Sequence, residues 1–261
     1  GEIMSKNMIQ LSDHFDYSRL IRFVLPCIGT MLFTSIYGIV DGLCVSNFVG
    51  KTAFAAVNLI MPVPMLVGTV GFMLGTGGSA IVGITLGEGD NAKADRYFSP
   101  FMSTALIAGI VLSVLGMLLL RPVALMLGAE GEMLDYALRY GRVLMLSLPT
   151  FILQNMFQSF FVTAEKPHLG FYFTVGAGCT NMVLDVLLVG ILHWSVEGAA
   201  IATMLSQVVG GLLPVFYFLN RKNTSLLHLC RPRFEGKVLL NACINGSSEL
   251  MTNLSMSLVN I

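Results

Sequence analysis

Three acidic residues lie inside long apolar stretches of the sequence, where an ionised carboxylate has few ways to be stabilised. They are Asp41, Asp185 and Glu249, whereas the other twelve acidic residues fall in the N-terminal tail or in polar connections. No Lys or Arg lies in the central part of these stretches to form a salt bridge. A carboxylate at a bilayer centre costs on the order of 3 kcal/mol and usually has a functional role. A bound proton or metal cation is the compensation that remains.

Oxygen-bearing side chains occur at helical spacing from both aspartates. Asn181 precedes Asp185 by four residues, so the two share one helix face. Tyr37 lies at the same spacing before Asp41, and Thr203 is in the following apolar stretch. A hard cation such as Na⁺ should favour carboxylate, amide and hydroxyl oxygens, whereas a proton needs only a carboxylate. We therefore predict a site for H⁺ or Na⁺ at Asp41, Asn181, Asp185 and Thr203, and the sequence leaves the choice of ion open.

Further polar side chains in the apolar stretches have two interpretations. They could line a substrate cavity or take part in coupling, or they could hydrogen-bond between helices, as is common in membrane bundles. The second interpretation also stays open for Asn181 and Thr203. The additional candidates are Tyr37, Gln154, Gln158, Gln207 and Glu249.

The elements that must hold these residues are apolar helices of membrane-spanning length. The chain of 261 residues is 55% apolar and 11% charged, which is too apolar for an ordinary water-soluble domain. Within a bilayer only a helix satisfies its own backbone, and about 20 residues are needed to cross. We predict an all-α integral membrane protein with a six-helix transmembrane bundle plus most of a seventh helix, and a kink near Pro62 and Pro64. The stretches are 23–45, 53–86, 97–120, 143–164, 167–192, 198–220 and 238–261.

The distribution of basic residues predicts the orientation of the chain. Eleven Lys and Arg lie in connections on the N-terminal side of the membrane and four on the opposite side, which predicts a cytoplasmic N-terminus. We divide the chain into a bundle over 1–220, a basic cytoplasmic linker over 221–237 and the start of a second bundle over 238–261. The eleven are Lys6, Arg19, Arg22, Lys93, Arg96, Lys166, Arg221, Lys222, Arg231, Arg233 and Lys237, and the four are Lys51, Arg121, Arg139 and Arg142.

Other sequence signals argue against several classes of protein. The formal net charge is zero, so no basic excess favours nucleic-acid binding. The five cysteines lack metal-ligand spacing, and no nucleophile has a base at suitable spacing. We predict no enzyme activity, no cofactor and no metal site other than one for Na⁺. Because no secretory cleavage signal opens the sequence, we expect the first apolar stretch to direct membrane insertion.

Several motifs taken together resemble the multidrug and toxic compound extrusion (MATE) family. They lie at 25–26, 39–42 and 46–50 in the first stretch, at 86–90 and 157–167 in the connections, and at 181–185 and 198–203 in the fifth and sixth stretches. The resemblance implies a twelve-helix exporter made of two pseudo-symmetric bundles, of which this sequence would supply the first and much of helix seven. Where relatives have Pro after the fifth-helix Asp, this chain has Val186.

The resemblance also implies a cation-coupled antiporter that exports cationic or aromatic drugs by alternating access. In one branch of the family the N-terminal bundle binds the cation, at positions that match the four-residue site predicted above. Other members use a seventh-helix acid, which Glu249 could match. We expect a small cationic or amphipathic drug and the lipid bilayer as partners, a monomeric full-length protein, and a multi-pass location in the plasma (inner) membrane. The alternatives are a lipid-linked saccharide flippase of the same superfamily, whose cavity should carry basic residues, and a fragment that does not transport.

Overall fold

The computed structural model describes residues 16–259, and within this range every regular element is helical, which confirms the predicted all-α class. Lys6, Asn260 and Ile261, which enter the predictions above, lie outside the described residues. A π-helical segment, Asp185–Ile191, continues the α-helix Pro167–Leu184. The α-helices are α1 (Tyr17–Phe48), α2 (Lys51–Ile60), α3 (Pro62–Gly87), α4 (Asn91–Met126), α5 (Gly131–Leu146), α6 (Leu148–Thr163), α7 (Pro167–Leu184), α8 (Ser195–Leu219) and α9 (Gly236–Val259).

The described helices have the length and composition of a membrane bundle. Five spans are long and apolar enough to cross a bilayer: α1, α2 with α3, α4, α7 with its π segment, and α8. The pair formed by α5 and α6 is a sixth span, bent by 59°. Helix α9 is less apolar and packs along α3. The predicted six-helix membrane bundle followed by much of a seventh helix is therefore confirmed.

The second apolar stretch is interrupted at Met61, between α2 and α3. Pro62 and Pro64 both lie in the first turn of α3, where the missing proline N–H would have no intrahelical partner in any case. The interruption therefore follows directly from the two prolines that predicted a kink.

The predicted boundary of the fourth stretch was wrong. The chain is helical from Gly131 rather than from residue 143, and it bends at Ser147 between α5 and α6. The predicted stretches contain few charges, and the first half of α5 lies outside them because it contains several charged residues. Arg139 is one of them, and its Nε donates to Glu197 Oε1 of α8 at 3.0 Å, while its Nη1 lies 3.4 Å from Asp135 Oδ2.

Helix α3 is the central packing element, and glycines allow its neighbours to approach closely. On the α6 side, a Cβ at Gly75 would lie 3.1 Å from the Met156 Cα. On the α9 side, a Cβ at Gly77 would overlap the Ala242 carbonyl, and one at Gly246 would overlap the Met73 carbonyl. Small residues at membrane-helix interfaces permit such backbone approach.

The connection between α8 and α9 is anchored to the bundle through residues 227–230, here called the strap. The His228 N–H donates to Asp95 Oδ1 and the Cys230 N–H donates to Ser99 Oγ, both at 2.8 Å. Asp95 and Ser99 lie one turn apart on α4, so one helix face pairs with alternate N–H groups of an extended segment. The two leucines of the strap are buried in the core.

Candidate cation site and adjoining cavity

The interior of the bundle brings together the four residues of the predicted cation site. Asp41 comes from α1, Asn181 from the end of α7, Asp185 from the start of the π segment, and Thr203 from α8. Asp185 is 0% exposed, Asn181 1% and Asp41 7%. The carboxyl groups of Asp41 and Asp185 lie next to each other. Three helices therefore present oxygen atoms to one point.

Several of these oxygen atoms have no hydrogen-bond donor. The Asn181 Nδ2 donates to Thr203 Oγ1 at 3.3 Å, and the Thr203 hydroxyl donates to the Ala199 carbonyl at 3.0 Å. Within residues 16–259, Asp41 Oδ1, Asn181 Oδ1 and both Asp185 oxygens accept no hydrogen bond. Buried acceptors without donors are costly, and two neighbouring ionised carboxylates repel each other. A cation or a proton between them would remove both penalties.

Tyr140 is a further residue of this cluster that sequence reasoning missed. Its side chain is fully buried, and its hydroxyl faces Thr203 and lies near both carboxylates. It makes no hydrogen bond of good geometry with the described residues. Tyr140 lies in the charged helix α5, which was not among the apolar stretches. The signal that could have found it is amphipathic spacing, because Ala137, Gly141 and Leu144 are buried on the same face.

A cavity of about 590 Å³ adjoins the cluster, a size typical of sites for drug-sized molecules. Among the described residues Asp41 is the only charged one in its lining, and Asp185 lies next to Asp41 without lining the cavity. Of the residues that the structure describes, four methionines and three aromatic residues line the cavity, and the flexible methionine side chains adapt to ligands of different shape. Four of the additional candidates line the cavity, namely Tyr37, Gln154, Gln158 and Gln207.

Comparison with known proteins decides the family. The MatE sequence profile matches residues 26–187, which is more than half of the chain. The chain belongs to the MATE family.

Its relatives include proteins of known fold. The multidrug export protein MepA of Staphylococcus haemolyticus is 28% identical over 210 residues, which are 80% of this chain and 46% of that protein. A solved MATE transporter in an outward-facing conformation is 26% identical with a TM-score of 0.84, over 91% of this chain and 53% of that one. A MOP superfamily transporter from Pyrococcus furiosus gives the same identity, TM-score and coverage. The chain thus spans about half the length of the relatives it matches.

In this MATE protein the helix leaves α geometry at the buried aspartate without a proline. The π segment begins at Asp185 although the next residue is Val186. The Leu192 N–H bonds to the Leu187 carbonyl, five residues back, at 2.9 Å. Single π-helical turns inside α-helices are frequent at functional sites. The backbone therefore departs from α geometry at Asp185 even though this chain has Val186 at the next position.

Glu249 lies apart from the four-residue cluster of this MATE protein. It is on α9, it is half-buried, and it does not line the cavity. Its Oε1 accepts a hydrogen bond from Asn253 Nδ2, one turn later, at 3.1 Å. Glu249 therefore has a local partner, whereas the Asp185 carboxylate has no donor among the described residues.

Replacing Tyr140 with Phe is expected to weaken cation binding roughly 3- to 10-fold, the size of one hydrogen bond or ligand contact. Without added cation the thermal stability should stay the same or rise slightly, because the buried hydroxyl has no partner to lose. The measurement is the shift in unfolding temperature of the purified protein as Na⁺ is titrated, and as pH is varied without Na⁺.

The matched control is Tyr217→Phe, because the Tyr217 hydroxyl is also buried without a partner but packs against Phe161 in a different part of the core. Equal loss of cation response in both variants would show that Tyr140 has no part in the cation site.

Proposed function

We propose that the full-length protein is an antiporter that exports cationic or amphipathic drugs in exchange for H⁺ or Na⁺. One observation carries the proposal: Asp41 belongs at once to a buried carboxylate pair and to the wall of a drug-sized cavity. A cation bound to the pair and a cationic drug in the cavity would compete for the same negative charge. The chain spans about half the length of its relatives, so the proposal concerns the complete protein.

The proposed cation site consists of Asp41, Asn181, Asp185 and Thr203. A proton needs one carboxylate of the pair, whereas Na⁺ would use several of the oxygens that have no donor. Coupling requires that cation and drug prefer different conformations, because equal affinity for both states shifts nothing. Cation uptake from outside would favour the state with low drug affinity, and the drug would leave.

Helix α1 is the element that we propose links the two events. It carries Asp41 and also supplies Thr34, Tyr37 and other residues of the cavity wall. Pro26 lies inside α1 and has no N–H to donate, which makes a bend there less costly than elsewhere in the helix. A bend at Pro26 would move the cavity wall relative to the other helices.

The test is transport of a fluorescent cationic dye by the full-length protein in proteoliposomes, with H⁺ and Na⁺ gradients imposed separately. We expect one inward cation gradient to drive dye export, and an ionophore that dissipates this gradient to stop it. Dye that binds to the protein but is not exported under either gradient would refute antiport.

A flippase for a lipid-linked saccharide is the second candidate, and no specific observation favours it. A pyrophosphate group calls for basic side chains, and the described lining of the cavity contains no Lys, Arg or His. Flipping of a fluorescent lipid-linked saccharide in the same proteoliposomes would favour the flippase over the drug antiporter.

A further inference from the structure

The strap creates a basic surface at one end of the bundle. Cys230 is hydrogen-bonded to Ser99 on α4, and residues 231–234 lie within about 14 Å of Cys230 because an extended chain spans at most about 3.6 Å per residue. The basic residues there come from two elements that are far apart in sequence. We call this surface the basic rim and define it as Lys93 and Arg96 of α4 with Arg231, Arg233 and Phe234 after the strap.

The charges of the basic rim are not neutralised within the described protein. None of its four basic side chains forms an ion pair with a described carboxylate, and Arg96, Arg231 and Arg233 are exposed. The acids near the rim in sequence are Glu88, Asp90, Asp95 and Glu235, and none of them forms an ion pair with a rim side chain. Asp95 accepts the His228 N–H, and Asp90 accepts the Lys93 N–H at 3.0 Å as the cap of α4.

The opposite end of the bundle differs in charge. Among the described residues there, four basic residues are balanced by four acidic ones, namely Glu130, Glu132, Asp135 and Glu197. Arg139 of that end is held by two of these acids. The end that carries the strap has ten described basic residues against six acidic ones, so the excess of positive charge is a property of that end.

An exposed aromatic side chain lies within the basic rim. Phe234 is 70% exposed and is flanked by Arg233, just before α9 begins. The Lys93 ammonium lies 5.6 Å from the centre of the Tyr97 ring. Aromatic and basic side chains at a helix end are typical of the membrane–water interface, where the ring reaches the acyl boundary and the charge reaches the headgroups.

We propose that the basic rim binds the headgroups of anionic phospholipids. The phosphate group of a lipid is complementary to Arg231 and Arg233 in charge and in hydrogen-bonding geometry. Phe234 would insert beside the same lipid. The site depends on the strap, because without the bonds to Asp95 and Ser99 the residues after Cys230 would not be held against α4. The proposal does not rest on the transport function or on the direction of insertion.

The test uses the full-length protein in a neutral detergent, with phosphatidylglycerol and phosphatidylcholine of identical acyl chains as probes, and native mass spectrometry to count retained lipids. We expect the wild-type protein to retain phosphatidylglycerol preferentially. The triple variant Arg96→Gln, Arg231→Gln, Arg233→Gln should lose that preference roughly 100-fold, since each of the three charges is worth roughly 5-fold. The single variants Arg96→Gln and Arg231→Gln, expected to lose about 5-fold each, test the same point if the triple variant unfolds.

The matched control neutralises three basic residues at the opposite end, with Lys51→Gln, Arg121→Gln and Arg142→Gln, and should leave the preference unchanged within about 2-fold. An unchanged preference in the rim variants, or an equal loss in the control, would overturn the proposal. Displacement of the bound lipid by an equal concentration of inorganic phosphate would also overturn it, because the rim would then bind free anions rather than a lipid.

Discussion

Replacing Asp185 with Asn is expected to abolish gradient-driven dye export by the full-length protein, with a loss of roughly 100-fold or more. Both carboxylate oxygens of Asp185 are buried without a donor, so they are available to a cation or a proton. The amide has nearly the same shape but no charge, and losing a buried charge partner costs about 3 kcal/mol or more. The measurement is the initial rate of dye efflux from proteoliposomes under the gradient that drives the wild-type protein.

Comparing Asp185→Asn with Asp41→Asn separates the effect on coupling from the effect on drug binding. Asp41→Asn should also abolish driven export, but it should in addition weaken binding of a cationic dye, because Asp41 lines the cavity and Asp185 does not. Undiminished coupled export in either variant would refute the site.

Two further acids serve as controls for these variants. Asp135→Asn changes an exposed acid in the first half of α5 and should transport normally. Glu249→Gln tests the seventh-helix acid. A total loss of export in this variant, together with normal export by Asp185→Asn, would assign the coupling site to Glu249 on α9.

Replacing Gly77 with Ala is expected to destabilise the protein by about 3 kcal/mol, at the upper end of the usual cost of overpacking. The added methyl would overlap the Ala242 backbone carbonyl, which cannot rotate away as a side chain would. Helix α9 would have to move off α3, and with it Asn253 and Met256, which line the cavity. The measurement is the unfolding temperature of the purified protein in detergent.

Gly87→Ala is the matched control on the same helix, because nothing lies within 4 Å of a Cβ at that position. This variant should be neutral or stabilised by about 0.5 kcal/mol, since alanine loses less backbone entropy than glycine. Equal unfolding temperatures for the two variants would contradict the close packing of α3 against α9 at Gly77.

The amino-acid sequence by itself determined the class of the protein and the first candidates for chemistry. The number of spans follows from apolar length, and the interruption at Met61 follows from Pro62, because both depend on local properties of the chain. Asp41 and Asp185 were identifiable because a carboxylate inside an apolar helix is costly wherever the other helices lie. The shared face of Asn181 and Asp185 followed from helical periodicity.

Only the tertiary structure decided which polar residues meet and which do not. Tyr140 joins the aspartates because α5 packs against α8, a contact that no local pattern encodes. Asp41 lines the cavity while Asp185 does not, although both are acids in apolar helices. Glu249 shares that sequence property and yet lies apart. The physical reason is that periodicity assigns a residue to a helix face, whereas the partner of that face depends on packing between helices distant in sequence.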